Sequence, residues 1–239
     1  MKHAETLWNG ITMIQPENGF RLGADSILLS QFLPLPKEAK IADLGSGCGT
    51  LGLLLCASDA TCAVTGVEID EEAHRLALEN IARNGLEGRL SSILGDVREV
   101  RALLPAGSFS CVISNPPYFP AGSGKASREN AAARSEETLS LGELCAAAAW
   151  LLPNGGRFAL VYRPERLCDL FCAMRENGIE PKRIQFVRHS AAGPVCLVLI
   201  EGRRGGRPGL SYLPDFCEYT PDGAETEAYR AACHRGEQL

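Results

Sequence analysis

A chain of 239 residues, 45% hydrophobic and 22% charged, has the composition of a globular protein with room for one full α/β core. The net charge of −5 excludes a protein that coats nucleic acid through overall positive charge, and no apolar run approaches the length of about 18 residues that a membrane span needs. The 10 cysteines show no Cys-x-x-Cys spacing and no Cys/His cluster, which argues against a metal site. With no charged-then-apolar leader, the expectation is a cytoplasmic protein with reduced thiols.

Residues 1–36 read as an N-terminal extension, a hairpin plus a short helix packed on a core domain over 37–239. Thr6-Leu7-Trp8 and Ile11-Thr12-Met13-Ile14 flank Asn9-Gly10, a dipeptide that predicts a hairpin turn. After Phe20-Arg21-Leu22-Gly23 comes a short helix over 26–32, with Asp25 placed to cap it and Leu33-Pro34-Leu35-Pro36 ending it.

A strand over 39–44 then runs into Gly45-Ser46-Gly47-Cys48-Gly49-Thr50, and a helix covers 51–57. This strand, glycine loop and helix form the unit that brings free backbone N–H groups close to a nucleotide-like ligand. The second strand, 64–68, ends on Glu68, at an offset that suits an acceptor for ribose hydroxyls. An amphipathic helix over 71–84 follows, with Gly85 as its C-terminal cap. A third strand over 90–94 ends in Gly95-Asp96, and a fourth, 109–114, delivers Asn115.

Beyond it, residues 120–126 read as a mobile glycine-containing loop. Lys125, Arg128 and Arg134 lend that region positive charge, as in a substrate lid or an ordinary solvated loop. Helices over 138–152 and 164–176 bracket a fifth strand, 157–162. Strands over 184–188 and 195–201, joined by Ala191-Ala192-Gly193-Pro194, predict an antiparallel end to the sheet. Residues 182–207 hold six basic residues and one acid, a local charge of +5 that suits RNA contact or a solvated surface.

The stretch that organises these elements is Asn115-Pro116-Pro117-Tyr118. Two prolines remove two backbone donors and keep the chain extended as it leaves the strand. What remains is an acceptor-rich corner: the Asn115 side-chain oxygen, the Pro116 carbonyl and the Tyr118 ring. Such a corner suits a flat ring bearing an exocyclic amine, stacked on Tyr118 and donating two N–H bonds. Alone, Asn-Pro-Pro is equally a strand-ending turn.

Gly47-Cys48-Gly49-Thr50-Leu51-Gly52 also matches the dinucleotide pattern Gly-x-Gly-x-x-Gly, which would suit a nicotinamide oxidoreductase. Asp43, two residues before the first glycine, would repel a pyrophosphate and attract a cationic amino-acid group. Asp96 could accept from an adenine amine.

These residues resemble a known family. Asp43-Leu44-Gly45-Ser46-Gly47-Cys48-Gly49 is similar to the first motif of class I S-adenosylmethionine-dependent methyltransferases, and Asn115-Pro116-Pro117-Tyr118 to that of the amino-group methyltransferases. The flanking Gly19-Phe20-Arg21-Leu22-Gly23-Ala24-Asp25-Ser26, Ala133-Arg134-Ser135-Glu136 and Glu180-Pro181-Lys182-Arg183-Ile184 resemble the bacterial valine-tRNA adenine N6-methyltransferases. Ser135 stands where that pattern has His.

The resemblance implies a Rossmann-like α/β fold, with a mostly parallel seven-stranded sheet and an antiparallel C-terminal hairpin. It implies S-adenosylmethionine held by Asp43, Gly45, Gly47, Gly49, Glu68 and Asp96. Methyl transfer would fall to Asn115, Pro116 and Tyr118, and substrate contact to Pro117, Phe119, Arg21 and Arg134. The substrate it implies is the tRNA adenosine 3′ of the anticodon, with no metal and no membrane. Release-factor glutamine and rRNA guanine N2 are the alternatives within the amino-group methyltransferases.

Overall fold

The computed structural model describes residues 3–15, 22–116 and 139–234. At the N-terminus, β1 (His3–Thr6) and β2 (Thr12–Gln15) pair antiparallel as a separate two-stranded sheet. The predicted hairpin is present, but its loop is wider than Asn9-Gly10. A 3-10 turn over Trp8–Gly10 is closed by Leu7 N–H donating to the Ile11 carbonyl at 2.7 Å. The first helix, α1 (Ala24–Phe32), begins before its predicted start, with Gly23 at its N-cap. Asp25 therefore lies inside the first turn, and its carboxylate accepts from the Ser26 N–H at 2.7 Å instead of capping the helix.

The main sheet is built from β3 (Lys40–Leu44), β4 (Ala63–Glu68), β5 (Leu90–Leu94), β6 (Cys111–Ser114), β7 (Arg157–Tyr162), β8 (Ile179–Ser190), β9 (Val195–Arg204), β10 (Ser211–Tyr212) and β11 (Phe216–Tyr219). Its order is β10-β8-β9-β7-β6-β3-β4-β5, with β11 also paired to β8. β9 runs antiparallel between β7 and β8, as the predicted closing hairpin requires, and the other pairings are parallel. Among the described residues the sheet has nine strands, where seven were expected. The additions, β10 and β11, are short segments whose partner is the unusually long β8. That strand runs through Pro181 by a register shift between Pro181 and Arg183, where the missing N–H breaks the ladder.

Helices α2 (Thr50–Ser58), α3 (Glu71–Arg83), α4 (Val100–Leu103), α5 (Leu141–Leu151), α6 (Leu167–Glu176) and α7 (Glu227–Ala232) complete the chain. Asp70 caps α3, and Gly85 ends it in a left-handed conformation. The Leu86 and Gly85 N–H groups then reach back to the carbonyls of Ile81 and Ala82. Ser140 and Glu143 form a reciprocal capping box at the start of α5. Apolar side chains on the two faces of the sheet form two cores. Leu29, Leu53, Leu54 and Ile113 fill one, and Leu144, Phe158, Leu160 and Met174 the other.

Candidate active site

Parallel pairing puts the C-terminal ends of β6, β3, β4 and β5 side by side along one edge. Each of the four ends in a residue singled out from sequence: Asn115, the loop from Gly45, Glu68 and, one residue past Gly95, Asp96. At about 4.8 Å per strand, the row from β6 to β5 spans roughly 14 Å.

The glycine loop is fixed from behind. Gly45 and Ser46 N–H groups donate to the Val67 carbonyl at 2.9 and 3.1 Å, and the buried Ser114 hydroxyl donates to the Leu44 carbonyl at 2.7 Å. Gly45 and Gly47 have φ of +76° and +56°, a region that L side chains rarely adopt. A Cβ at either would meet nothing within 4 Å, so the loop's outer side is open.

Glu68 is buried at the end of β4. Its two oxygens accept from Gly47 N–H at 2.7 Å and Asp70 N–H at 2.8 Å, joining the loop to the start of α3. Asp43 is 1% exposed and lies beneath the loop. Burial first, and the neighbouring Glu68 charge second, push its carboxyl up to about 8. Asp43 Oδ1 and Ser46 Oγ are buried with no hydrogen-bond partner among the described residues. A buried acid that resists ionisation, an orphaned hydroxyl and an open glycine cradle fit a polar ligand carrying positive charge, as S-adenosylmethionine does.

Asp96 caps the turn over Val97–Glu99 and is gripped by Arg98, whose Nε lies 2.8 and 3.0 Å from its two oxygens. That guanidinium holds the Asp96 carboxyl below the usual range. Asn115 leaves β6 with its Nδ2 donating to Ser26 Oγ of α1 at 3.0 Å. Pro116 follows, partly buried. Arg21, Pro117, Tyr118, Phe119 and Arg134 lie outside the described residues, as do Lys125, Arg128, Ser135 and the predicted loop over 120–126.

Residues 182–207 point mostly elsewhere. Lys182 and Arg183 lie in the first half of β8 and Arg203 and Arg204 end the antiparallel β9, so all four lie toward the opposite edge, with Arg183 roughly 23 Å along the strand from Ser190. Arg207 stays with them, its carbonyl accepting from Lys182 Nζ at 3.0 Å. Arg188 alone of the six approaches the edge that carries Asn115, and there it pairs with Asp215 at 2.6 Å.

Three contributors were missed in the sequence. Ser26 meets Asn115, and Ile69 stands 57% exposed directly after Glu68. Asn80, fully buried in α3, donates to the Cys48 carbonyl of the glycine loop at 2.9 Å. Asn80 and Asn84 stand one helical turn apart, an amide pair on a helix face otherwise set by Leu76, Ala77 and Ile81. That pattern was a signal available beforehand. Among the described residues no group of three or more His, Cys, Asp or Glu could hold a metal, and no helix is long and apolar enough to cross a membrane.

Residues 21–170 match the family model of the methyltransferase small domain. The chain is 35% identical over 195 residues to the tRNA1(Val) (adenine(37)-N6)-methyltransferase of Dickeya chrysanthemi, covering 81% of this chain and 76% of that protein. A protein of the same name from Photobacterium profundum is 28% identical over 185 residues, covering 77% of each. Among solved structures, a predicted O-methyltransferase, Atu636 of Agrobacterium tumefaciens, superposes with a TM-score of 0.73. It covers 88% of this chain and 95% of its own at 20% identity, a likeness of fold.

Proposed function

This chain belongs to the methyltransferase small domain family, among the tRNA1(Val) (adenine(37)-N6)-methyltransferases, and on that footing we propose that it methylates N6 of adenosine 37 in a valine tRNA. The methyl donor is S-adenosylmethionine, which when bound supplies an electrophilic methyl on a sulfonium. A tRNA substrate puts the enzyme in the cytoplasm.

The observation that carries this reading is the delivery of Asn115 at the end of β6, beside the glycine loop that leaves the adjacent β3. In this assignment Gly45, Gly47 and Gly49 supply close-approaching backbone, Glu68 accepts from ribose hydroxyls and Ile69 lies along the adenine. Asp96 accepts from the cofactor's adenine amine on the oxygen lone pairs that Arg98 does not take. Asp43 acts from beneath the loop, where a cation above it favours loss of its proton.

The target adenine amine is a weak nucleophile because its lone pair is delocalised into the ring. Asn115 Oδ1 and the Pro116 carbonyl accept its two N–H bonds, which favours a tetrahedral nitrogen and aims the lone pair away from both oxygens. Tyr118 stacks on the splayed-out base, Pro117 and Phe119 wall it, and Arg21 and Arg134 meet the RNA backbone. Positioning and fixed dipoles supply the acceleration. The chain's own residues need hold no general base, since the nitrogen becomes acidic once methylated and loses its proton to water.

The test is incubation with labelled S-adenosylmethionine and a valine tRNA transcript, followed by digestion to nucleosides. The expected product is N6-methyladenosine, lost when position 37 is changed to guanosine. Label in N2-methylguanosine or in a protein fraction would overturn the assignment.

A further inference from the structure

We infer that the imidazole of His189 is a stacking platform for an unpaired base in the RNA loop that carries the target adenosine. The inference rests on the tRNA reading given above, and it adds a contact for a second nucleotide, well apart from the methyl-transfer corner.

His189 stands on the site's side of the sheet. β9 runs antiparallel to both β7 and β8, so β8 leaves the sheet in the same direction as β6 and β7. Ser114 pairs with Leu160, Leu160 with Ile200 and Ile200 with Ile184, which puts Ile184 level with the end of β6. His189 follows Ile184 in the same strand, roughly 16 Å further along. With three strand spacings between β6 and β8, it lies about 20 Å from Asn115 and rises past it. A stacked strand advances about 3.4 Å per nucleotide, so about six stacked nucleotides, or fewer splayed ones, bridge that distance.

The ring is both held and uncovered. Its Nδ1 lies 3.1 Å from Glu218 Oε2 of the neighbouring β11, and a carboxylate only accepts, so Nδ1 carries the proton. The Tyr219 ring backs it with centroids 4.5 Å apart, and Tyr219 leans in turn on Tyr229 of α7 at 5.7 Å. The end of β8 is braced as well, since Arg188 Nη1 donates to the Gly193 carbonyl at 2.6 Å. Even so, 73% of the His189 side chain faces solvent. A flat ring fixed along one edge and backed on one side, with the rest open, is what an unstacked base needs to settle on.

Charge favours a base over a phosphate as the occupant. Glu218 sits against the ring, and Arg188, the residue before His189, is taken by Asp215. A phosphate arriving there would meet the Glu218 carboxylate, whereas the neutral face of a base would not.

The experiment titrates a valine tRNA transcript with the native enzyme, His189→Ala and His189→Phe over a range of salt concentrations. It repeats the titration with transcripts that carry one abasic nucleotide at each loop position other than 37. His189→Ala is expected to weaken binding roughly tenfold, as the loss of one base stack does, with the slope of log affinity against log salt unchanged. His189→Phe keeps a flat ring and should recover most of the affinity. One abasic position should cost the native enzyme a similar factor and cost His189→Ala nothing further.

Native affinity in His189→Ala overturns the inference, and so does failure of His189→Phe to recover binding. A salt slope reduced by about one, the mark of a lost phosphate contact, overturns it too. So does the lack of any abasic position whose cost depends on His189. Should the native enzyme still methylate adenosine 37 alongside any of these results, the substrate reading stands and only the platform falls. Absence of N6-methyladenosine strikes the substrate reading and the platform with it.

Discussion

The side-chain nitrogen of Asn80 lies 2.9 Å from the carbonyl oxygen of Cys48, so a buried amide in α3 holds the middle of the glycine loop. The same nitrogen donates to the Ile14 carbonyl at 3.0 Å, and Asn80 Oδ1 accepts from Ile14 N–H at 2.7 Å. One side chain thus joins the N-terminal hairpin to the glycine loop, with Ile14, Cys48 and Leu76 packed together beside it. Asn80→Leu would strand three buried backbone groups. Leaving such groups unsatisfied costs about 1–3 kcal/mol each before relaxation, so a net loss of about 3 kcal/mol is expected. Urea unfolding measures it. S-adenosylhomocysteine affinity should fall as well, and a variant with native stability and affinity would refute the bracing role.

Asn115→Ala should lower turnover by roughly 100-fold or more, the range seen when one preorganised group at a reacting centre is removed. Cofactor affinity should stay nearly intact, because Asn115 belongs to β6 and the cradle to β3 and β4. Single-turnover kinetics with calorimetry separates the two effects. Near-normal turnover would remove Asn115 from the mechanism.

The Asp43 carboxyl, ordinarily near 3.8, is raised to about 8, and this sets a pH dependence of stability. The folded protein keeps a proton that the unfolded chain has lost. The stabilisation is complete at low pH and fades as pH climbs from the unfolded value through the folded one. The steepest slope is about 1.4 kcal/mol per pH unit. Asn at this position cannot titrate. Relative to the native protein, Asp43→Asn should therefore gain stability steadily between about pH 5 and pH 8, and urea unfolding across that range checks it. Parallel curves for the two proteins would mean that Asp43 is ionised in the fold.

Glu201 is 2% exposed and is met by Arg183 Nη1 at 2.7 Å and, more distantly, by Arg157 Nε at 3.8 Å. Removing one partner of such a pair leaves a buried charge. Arg183→Ala should lower stability by about 2–3 kcal/mol, toward the low end because Arg157 remains and Arg183 is partly exposed. Arg183→Met with Glu201→Leu should restore most of that loss in thermal unfolding. Failure of the double variant to recover would point to the stacking of Arg183 on Phe32 as the larger contribution.

Much of the site was legible because its residues are tied to strand ends. An apolar run followed by glycines, an acid or Asn-Pro marks where a parallel strand stops, and the parallel order then collects those stops on one edge. Glu68, Asp96 and Asn115 fall into line by that rule, while Asp43, inside β3, stood out by its charge next to the glycines. Ser26 and Asn80 did not, because each meets a partner 89 or 32 residues away, and local pattern carries no sign of who that partner is. The direction of Asp25 was misread for a related reason: helix starts depend on backbone geometry at Gly23 that a capping preference does not fix. β10 and β11 were missed because strands of two and four residues have too few positions to alternate and exist only through β8. The charge of residues 182–207 was legible, but its side of the sheet follows from strand direction.

The broken pair of strands flanking β8 has a bearing on how the protein behaves at high concentration. β8 is twelve residues long, and bare it would be an open ladder on which another molecule's strand could add. β10 and β11 occupy it in two pieces, at Arg183–Ile184 and from Val187 onward, and Pro214 falls in the gap between them. Short lengths and a proline make a poor template for self-association, so this flank is guarded against fibre-like growth by the chain's own tail.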